Sequence, residues 1–97
     1  MIVREISTSI APEEVWKRLK RIINSNIDLY ELKDKINFND SSMEAWVSHS
    51  GAHLKVKVSG NVKGSIILEI NIGFPASMIY NEVEIADEIE RTIRKHI

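Results

Sequence analysis

Alternation of apolar and polar residues over 43–74 is the feature that most constrains the fold of this chain. Successive side chains of a strand point to opposite faces, so residues two apart share a face. Three consecutive runs follow this pattern, and their apolar members are Met43, Ala45 and Val47, then Leu54, Val56 and Val58, then Ile66, Leu68, Ile70 and Ile72. The pattern predicts three strands that build one apolar face of a sheet.

Two short polar stretches separate these runs. Ser50-Gly51 divides the first run from the second, and Ser59-Gly60-Asn61 divides the second from the third. Glycine and asparagine tolerate the positive φ values that tight hairpin turns need. The sequence therefore predicts two hairpins and an antiparallel meander.

A strand and then a helix are predicted before the meander. The stretch from Ile2 to Thr8 is rich in strand formers, although the sequence leaves open which of its residues are buried. Pro12 and the two glutamates after it mark a helix start, because proline fits the first turn and acids favour the positive end of the helix dipole. Spacings of three and four residues then give one apolar stripe, formed by Val15, Trp16, Leu19, Ile22 and Ile23.

The segment between this helix and the meander permits two interpretations. Apolar residues alternate with polar ones from Tyr30 to Asn39, and Asp34 interrupts the apolar set. Either one bent strand runs to Asn39, or the chain turns a short hairpin at Asp34-Lys35. The register stays in phase across Asp34, which favours the bent strand.

A second helix is predicted within residues 74–97. Its start is open, because Pro75 would begin it early, whereas Asn81 and Glu84 together form a capping box. The capping box predicts a turn or kink near Asn81 and places Glu82 in the first turn, facing water. The predicted apolar stripe is Val83, Ala86, Ile89, Ile93 and Ile97.

The order strand, helix, four strands, helix predicts an α+β fold in a single domain, residues 1–97. Each helix has one apolar stripe and the sheet has one apolar face, which favours a two-layer α/β sandwich with both helices on one face. The first helix carries strand two to the far edge, and the meander returns to strand one. The expected sheet order is therefore 1-5-4-3-2, antiparallel throughout.

Composition narrows the possible functions. The absence of cysteine excludes disulfides, thiol catalysis and cysteine-ligated zinc. A formal charge of −1 argues against nucleic acid as a partner, because such binding draws on many lysine and arginine contacts to phosphates. No apolar run approaches the length of a membrane span, so we expect a cytoplasmic protein with no membrane partner. Sixteen isoleucines and many lysines and glutamates are typical of a thermophile.

The βαββββα order resembles the TATA-binding-protein-like fold, which includes the helix-grip proteins of the Bet v 1 and START type. The stretch Ile10-Ala11-Pro12-Glu13-Glu14-Val15-Trp16 is similar to the opening of many helix-grip proteins. This resemblance implies a small hydrophobic ligand held between the helices and the sheet, in a cavity lined by Trp16, Phe38, Leu68 and Phe74.

Two fainter resemblances concern small proteins. One is to bacterial proteins of polyhydroxyalkanoate systems, through Ser50-Gly51, Ile72-Gly73-Phe74 and Glu88-Ile89-Glu90. The other is to small archaeal families with the same fold.

The sheet face that the helices leave uncovered is the main candidate binding surface. Alternation places on it Trp46, His53, Lys55, Lys57, Ile67, Glu69 and Asn71. Large apolar groups such as Trp46 and Ile67 on a solvent-facing sheet often mark a contact surface. The alternative is that Trp46 packs on Ile67 and on lysine stems. We expect a homodimer or another protein partner on this face.

A nucleic-acid partner is a weaker alternative for the same face. Trp46 would stack on bases, while Lys55, Lys57 and Lys63 would contact phosphates. The near-neutral charge of the chain disfavours it.

Metal and catalytic sites receive little support. His49 and His53 flank a turn, with Glu44 or Glu69 as a possible third ligand, but no dedicated one, so we predict no metal site and no cofactor. No nucleophile elbow, phosphate-binding glycine loop or zinc-binding helix motif occurs. We therefore predict no catalytic residues and a role other than that of an enzyme.

Overall fold

One antiparallel sheet organises the chain in a computed structural model, which describes residues 1–26 and 35–97. Its strands are β1 (Ile2–Ser7), β2 (Asn37–Asn39), β3 (Glu44–His49), β4 (Ala52–Ser59) and β5 (Ser65–Ile72), and its helices are α1 (Pro12–Asn26) and α2 (Glu82–His96). A short 3-10 helix, Ala76–Met78, lies between β5 and α2. The strands are ordered β1-β5-β4-β3-β2 with antiparallel pairing throughout, as the sequence predicts.

The hairpin between β3 and β4 has the tight two-residue turn expected from Ser50-Gly51. Ser50 has a φ of 50° and Gly51 a φ of 87°, and two positive φ values suit the twist of an antiparallel hairpin. Gly51 also packs under the chain that leaves β5. A Cβ atom at Gly51 would lie 2.3 Å from the carbonyl oxygen of Phe74. Only glycine satisfies both the turn and this close approach.

Both helices pack on one face of the sheet. The whole predicted stripe of α1 is buried, and it meets the alternate residues of β3, β4 and β5 in one core. The largest fully buried side chains of this core are Ile6, Leu19, Ile66, Leu68, Ile70 and Ile93. Full burial of such a side chain contributes about 1.5–3 kcal/mol. Burial of Ile6 and exposure of Val3 also settle which face of β1 points inward.

The start of α2 confirms the predicted cap at Asn81. The side-chain oxygen of Asn81 accepts hydrogen bonds from the backbone nitrogens of Val83 at 3.0 Å and Glu84 at 3.2 Å. These bonds satisfy two backbone donors that a helix N-terminus leaves free.

Two details predicted for α2 are wrong. Val83 is half exposed, and Ile85 is buried in its place. Val83 lies roughly a quarter turn from the centre of the buried stripe, because successive residues are about 100° apart around a helix. Glu82 does not face water. Only 24% of its side chain is exposed, and its Oε1 lies 3.2 Å from the amino group of Met1. That oxygen accepts no hydrogen bond among the described residues, so the contact is one of charge alone.

The prediction for Tyr30 to Asp34 lies outside the described residues. The part of that strand which the structure describes is β2, where Phe38 pairs with Ala45. Neither α1 nor α2, the helices of the described ranges, has the length and apolar character needed to cross a membrane.

Candidate contact surface on the open sheet face

Cross-strand pairing fixes which side chains share the sheet face opposite the helices. Residues directly opposite each other on neighbouring strands point to the same side. We call this side the open face, since α1 and α2 both pack on the other one. One row across it contains Val3, Glu69, Lys55, Trp46 and Asn37, and the next row contains Glu5, Ile67, Lys57, Glu44 and Asn39. A third row contains Asn71, His53 and Ser48. All the predicted sheet-face residues therefore lie together.

Trp46 is the largest apolar side chain of the open face. It is 39% exposed. Its direct neighbours are Lys55 on β4 and Asn37 on β2. Ile67 lies two strands away on β5, about 10 Å at the usual strand spacing, so Lys55 and not Ile67 is the neighbour of the indole.

A shallow depression of about 490 Å³ lies on this face. Side chains of the open face line it, among them Trp46, Ser48, His53, Lys55, Glu69 and Asn71, together with Met1. The lining combines an aromatic ring with groups of both charges and neutral hydrogen-bonding groups. Such a surface suits a partner that is itself amphipathic.

Glu44 also lies on the open face, although the sequence analysis did not include it in the predicted binding surface. Its Oε1 lies 3.2 Å from Nζ of Lys55 and 3.8 Å from Nζ of Lys57. The Ser42 hydroxyl donates to its Oε2 at 3.0 Å. The Ser42 hydrogen bond, followed by that of Lys55, holds the pKa of the Glu44 carboxyl below its usual value. Glu44 thus offsets part of the positive charge that phosphates would need.

The two histidines beside the first hairpin lie on opposite faces. His53 is paired with Ser48 on the open face, and Ser48 Oγ lies 2.7 Å from His53 Nδ1. His49 is paired with Ala52 on the helix side, and its Nδ1 is 3.3 Å from Nζ of Lys35. Within residues 1–26 and 35–97, no group of three or more acidic or histidine side chains is placed to hold a metal ion.

The residues of the predicted ligand cavity are only partly brought together. Trp16 and Phe38 are in contact, with ring centroids 6.4 Å apart. Leu68 is fully buried, but Phe74 is 77% exposed and lies outside the core. Between the layers is an apolar crevice of about 30 Å³, lined by residues that include Ile23, Leu68 and Ile89. Pockets that bind small molecules usually have volumes of about 300–1,000 Å³, so this crevice is too small for a hydrophobic ligand.

Comparison of the chain with protein families, curated proteins and solved structures found no match. The resemblance to TATA-binding-protein-like and helix-grip proteins therefore stays a prediction. Any function has to be argued from the surface of the chain itself.

Proposed function

We propose that this chain is a small protein-contact module that forms a homodimer through its open face. The observation that carries the proposal is the position of Trp46, a tryptophan 39% exposed beside a depression of about 490 Å³. Tryptophan is enriched among the residues that dominate binding energy in interfaces, because it buries a large area at little cost in conformational entropy. An indole that only served the core would be buried between the helices and the sheet, as that of Trp16 on α1 is.

The charges of the open face suit contact with a second copy. A two-fold interface brings the same patch of both subunits together, so the patch must be complementary to itself. Here the bases Lys55 and Lys57 lie on β4, and the acids Glu69 and Glu5 lie on the next two strands. A two-fold axis near β4 and β5 would set the bases of one copy against the acids of the other.

The size of the open face fits a reversible dimer. Five strands about 4.8 Å apart, each about six residues long, span roughly 24 by 20 Å, or about 500 Å² per copy. Burial of this area on both copies removes about 1,000 Å² from water, which is near the lower limit for a specific interface. We therefore expect dissociation in the micromolar range and not an obligate dimer.

Sedimentation equilibrium over a range of protein concentrations tests the proposal. The expected result is a monomer–dimer equilibrium that Trp46→Ala weakens by at least about tenfold, as truncation of a central aromatic anchor does. Val62→Ala is the matched control, because Val62 is exposed on the turn after β4 and lies outside the open face. A wild-type chain that stays monomeric at millimolar concentration contradicts the proposal. So does a dimer that Trp46→Ala leaves unchanged.

The other predicted functions have less support. A nucleic-acid partner would need a positive surface, whereas the open face carries Glu5, Glu44 and Glu69 beside Lys55 and Lys57. A helix-grip ligand would need a larger space between the layers than the crevice beside Leu68. The cytoplasmic location, the thermophilic source and the non-enzymatic role stay predictions.

A further inference from the structure

Three apolar side chains in the connection between β5 and α2 are almost uncovered. Phe74 is 77% exposed, Met78 74% and Ile79 77%. We call these three residues the connector patch. Together they expose about 400 Å² of mainly apolar surface, comparable to the largest apolar patch of a typical monomer, which is often functional.

The backbone holds the connector patch in a defined shape. Ser77 N donates to Gly73 O at 2.9 Å, and Tyr80 N donates to Ala76 O at 2.9 Å. Ala76 itself is buried, and its nitrogen donates to Ser50 O at 3.0 Å in the β3–β4 hairpin. Consecutive hydrogen-bonded turns thus run through residues 73–80, which include all three members of the connector patch. A backbone held in this way needs little ordering when a partner binds.

Two acidic side chains of α2 follow the connector patch closely in the sequence, Glu84 five residues after Ile79 and Glu88 one helical turn further on. Glu84 and Glu88 are exposed and four residues apart on α2, so they lie on one helix surface and repel each other. Neither forms an ion pair among the described residues, whereas the nearby Asp87 and Glu90 both bind Arg4 at 3.0 Å. The helix dipole favours Glu84 in the first turn, but Glu88 lies one turn further on.

We propose that the connector patch is a docking site for a cationic amphipathic segment of another protein. Apolar side chains of that segment cover Phe74, Met78 and Ile79, and its lysines or arginines meet Glu84 and Glu88. An amphipathic helix, with an apolar face flanked by basic residues, is a common form of such a segment.

The same acids argue against two other occupants. An anionic lipid surface would be repelled by Glu84 and Glu88. A second copy docked two-fold on this patch would bring the acids of both copies toward each other, since such an interface repeats the same surface. Complementary charge therefore selects a basic partner.

Fluorescence anisotropy with a synthetic probe tests this site. The probe is an 18-residue fluorescein-labelled peptide of leucine and lysine in a helical amphipathic pattern. We expect saturable binding that weakens as salt is raised. The double variant Phe74→Ser/Ile79→Ser should bind at least about tenfold more weakly. Val62→Ser should bind as the wild type does, because Val62 is equally exposed but lies on the distant β4–β5 turn.

A second pair of variants tests the charge. Glu84→Gln/Glu88→Gln should weaken binding at low salt by about tenfold and remove most of the salt dependence, whereas Glu13→Gln on α1 should do neither. The thermal midpoint of each variant is measured as well. Only variants that are folded at the temperature of the binding assay are compared, so that loss of folding is not mistaken for loss of binding. Trp46→Ala should leave probe affinity unchanged, which separates this site from the open face.

Three results would overturn the site. The first is equal binding of a matched peptide with glutamate in place of lysine. The second is undiminished binding by the Phe74→Ser/Ile79→Ser variant. The third is association of the wild type with neutral phosphatidylcholine vesicles in the absence of any binding to the cationic peptide.

Discussion

Trp46 and Val47 are consecutive residues of β3, and they lie on opposite faces of the sheet. Trp46 is 39% exposed on the open face, whereas Val47 is 3% exposed beneath the helices. The separation of a contact surface from a core thus follows from the two-residue period of a strand.

The layer assignment predicts unequal effects of the same substitution on the two faces. Val47→Ala should lower the free energy of unfolding by about 2 kcal/mol, because it removes buried methyl groups and leaves a cavity. Val3→Ala is the matched control on the open face, where Val3 is more than half exposed, and it should change stability by less than about 0.5 kcal/mol. Urea denaturation at a protein concentration that favours the monomer measures both. Equal losses would contradict the assignment.

Asp40, in the turn between β2 and β3, binds two side chains of α1. Its Oδ1 accepts from the indole nitrogen of Trp16 at 2.8 Å and from Nζ of Lys20 at 2.8 Å. Asp40→Ala should lower the thermal midpoint by at most about 4 °C, because the indole nitrogen loses its acceptor but the Asp40 side chain is mostly exposed and water can take its place. Asp40→Asn retains an oxygen that can accept from the indole and should cost less than half as much. If Asn proved as harmful as Ala, the indole hydrogen bond would not be the stabilising contact.

Gly51 of the β3–β4 hairpin lies against Gly73, which follows β5. Substitution should be more harmful at Gly51 than at Gly73. Gly51→Ala requires a positive φ for alanine and brings Cβ to 2.3 Å from Phe74 O. We expect a loss of about 2 kcal/mol or more. At Gly73 an added Cβ would approach no closer than 3.4 Å, to Gly51 O, so Gly73→Ala should cost less than about 1 kcal/mol. Chemical denaturation of the two variants compares them directly, and a reversed order would contradict the close approach.

Acid should weaken the ion pairs of Glu90, of which the one with Arg94 lies within α2 and the one with Arg4 joins α2 to β1. Hydrogen bonds from Arg94 and then Arg4 lower the pKa of the Glu90 carboxyl. A depressed pKa in the folded state means that the stabilisation is complete above the ordinary value of 4.5 and is lost as the pH falls through the lower, folded value.

Thermal midpoints measured between pH 6 and pH 2 test this dependence on Glu90. Glu90→Gln should be less stable than the wild type at pH 6, and the difference should shrink as the pH falls. Because the arginine contacts are partly exposed, high salt should reduce the difference at pH 6 as well. A difference that stayed constant down to pH 2 would assign the loss to packing and not to charge.

Periodicity predicted most of the architecture. The stripe of α1 from Val15 to Ile23, the turn at Ser50-Gly51 and the exposure of Trp46 follow from spacing alone. These features are local, because the period of side chains and the φ preferences of glycine act over a few residues.

Three features that the sequence analysis missed depend on contacts between distant parts of the chain. The environment of Glu82 is set by the amino group of Met1, 81 residues earlier. Phe74 was expected to line a ligand cavity, as the helix-grip resemblance implies, but it is 77% exposed in a segment where Ala76 is the buried residue and binds Ser50 of the β3–β4 hairpin. The pairing of Glu44 with Lys55 required the register between β3 and β4, which alternation leaves open.

Pulsed electron paramagnetic resonance on spin-labelled dimers tests the central claim most directly. The chain has no cysteine, so Asn71→Cys on the open face and Lys95→Cys on the outer side of α2 each give one labelling site. Packed sheets lie about 10 Å apart, and a helix layer adds about 10 Å on each side. A dimer through the open face therefore predicts a distance between Lys95 labels that is longer by about 20 Å or more than the distance between Asn71 labels. A short Lys95 distance, or no dipolar coupling at either position, would contradict the account.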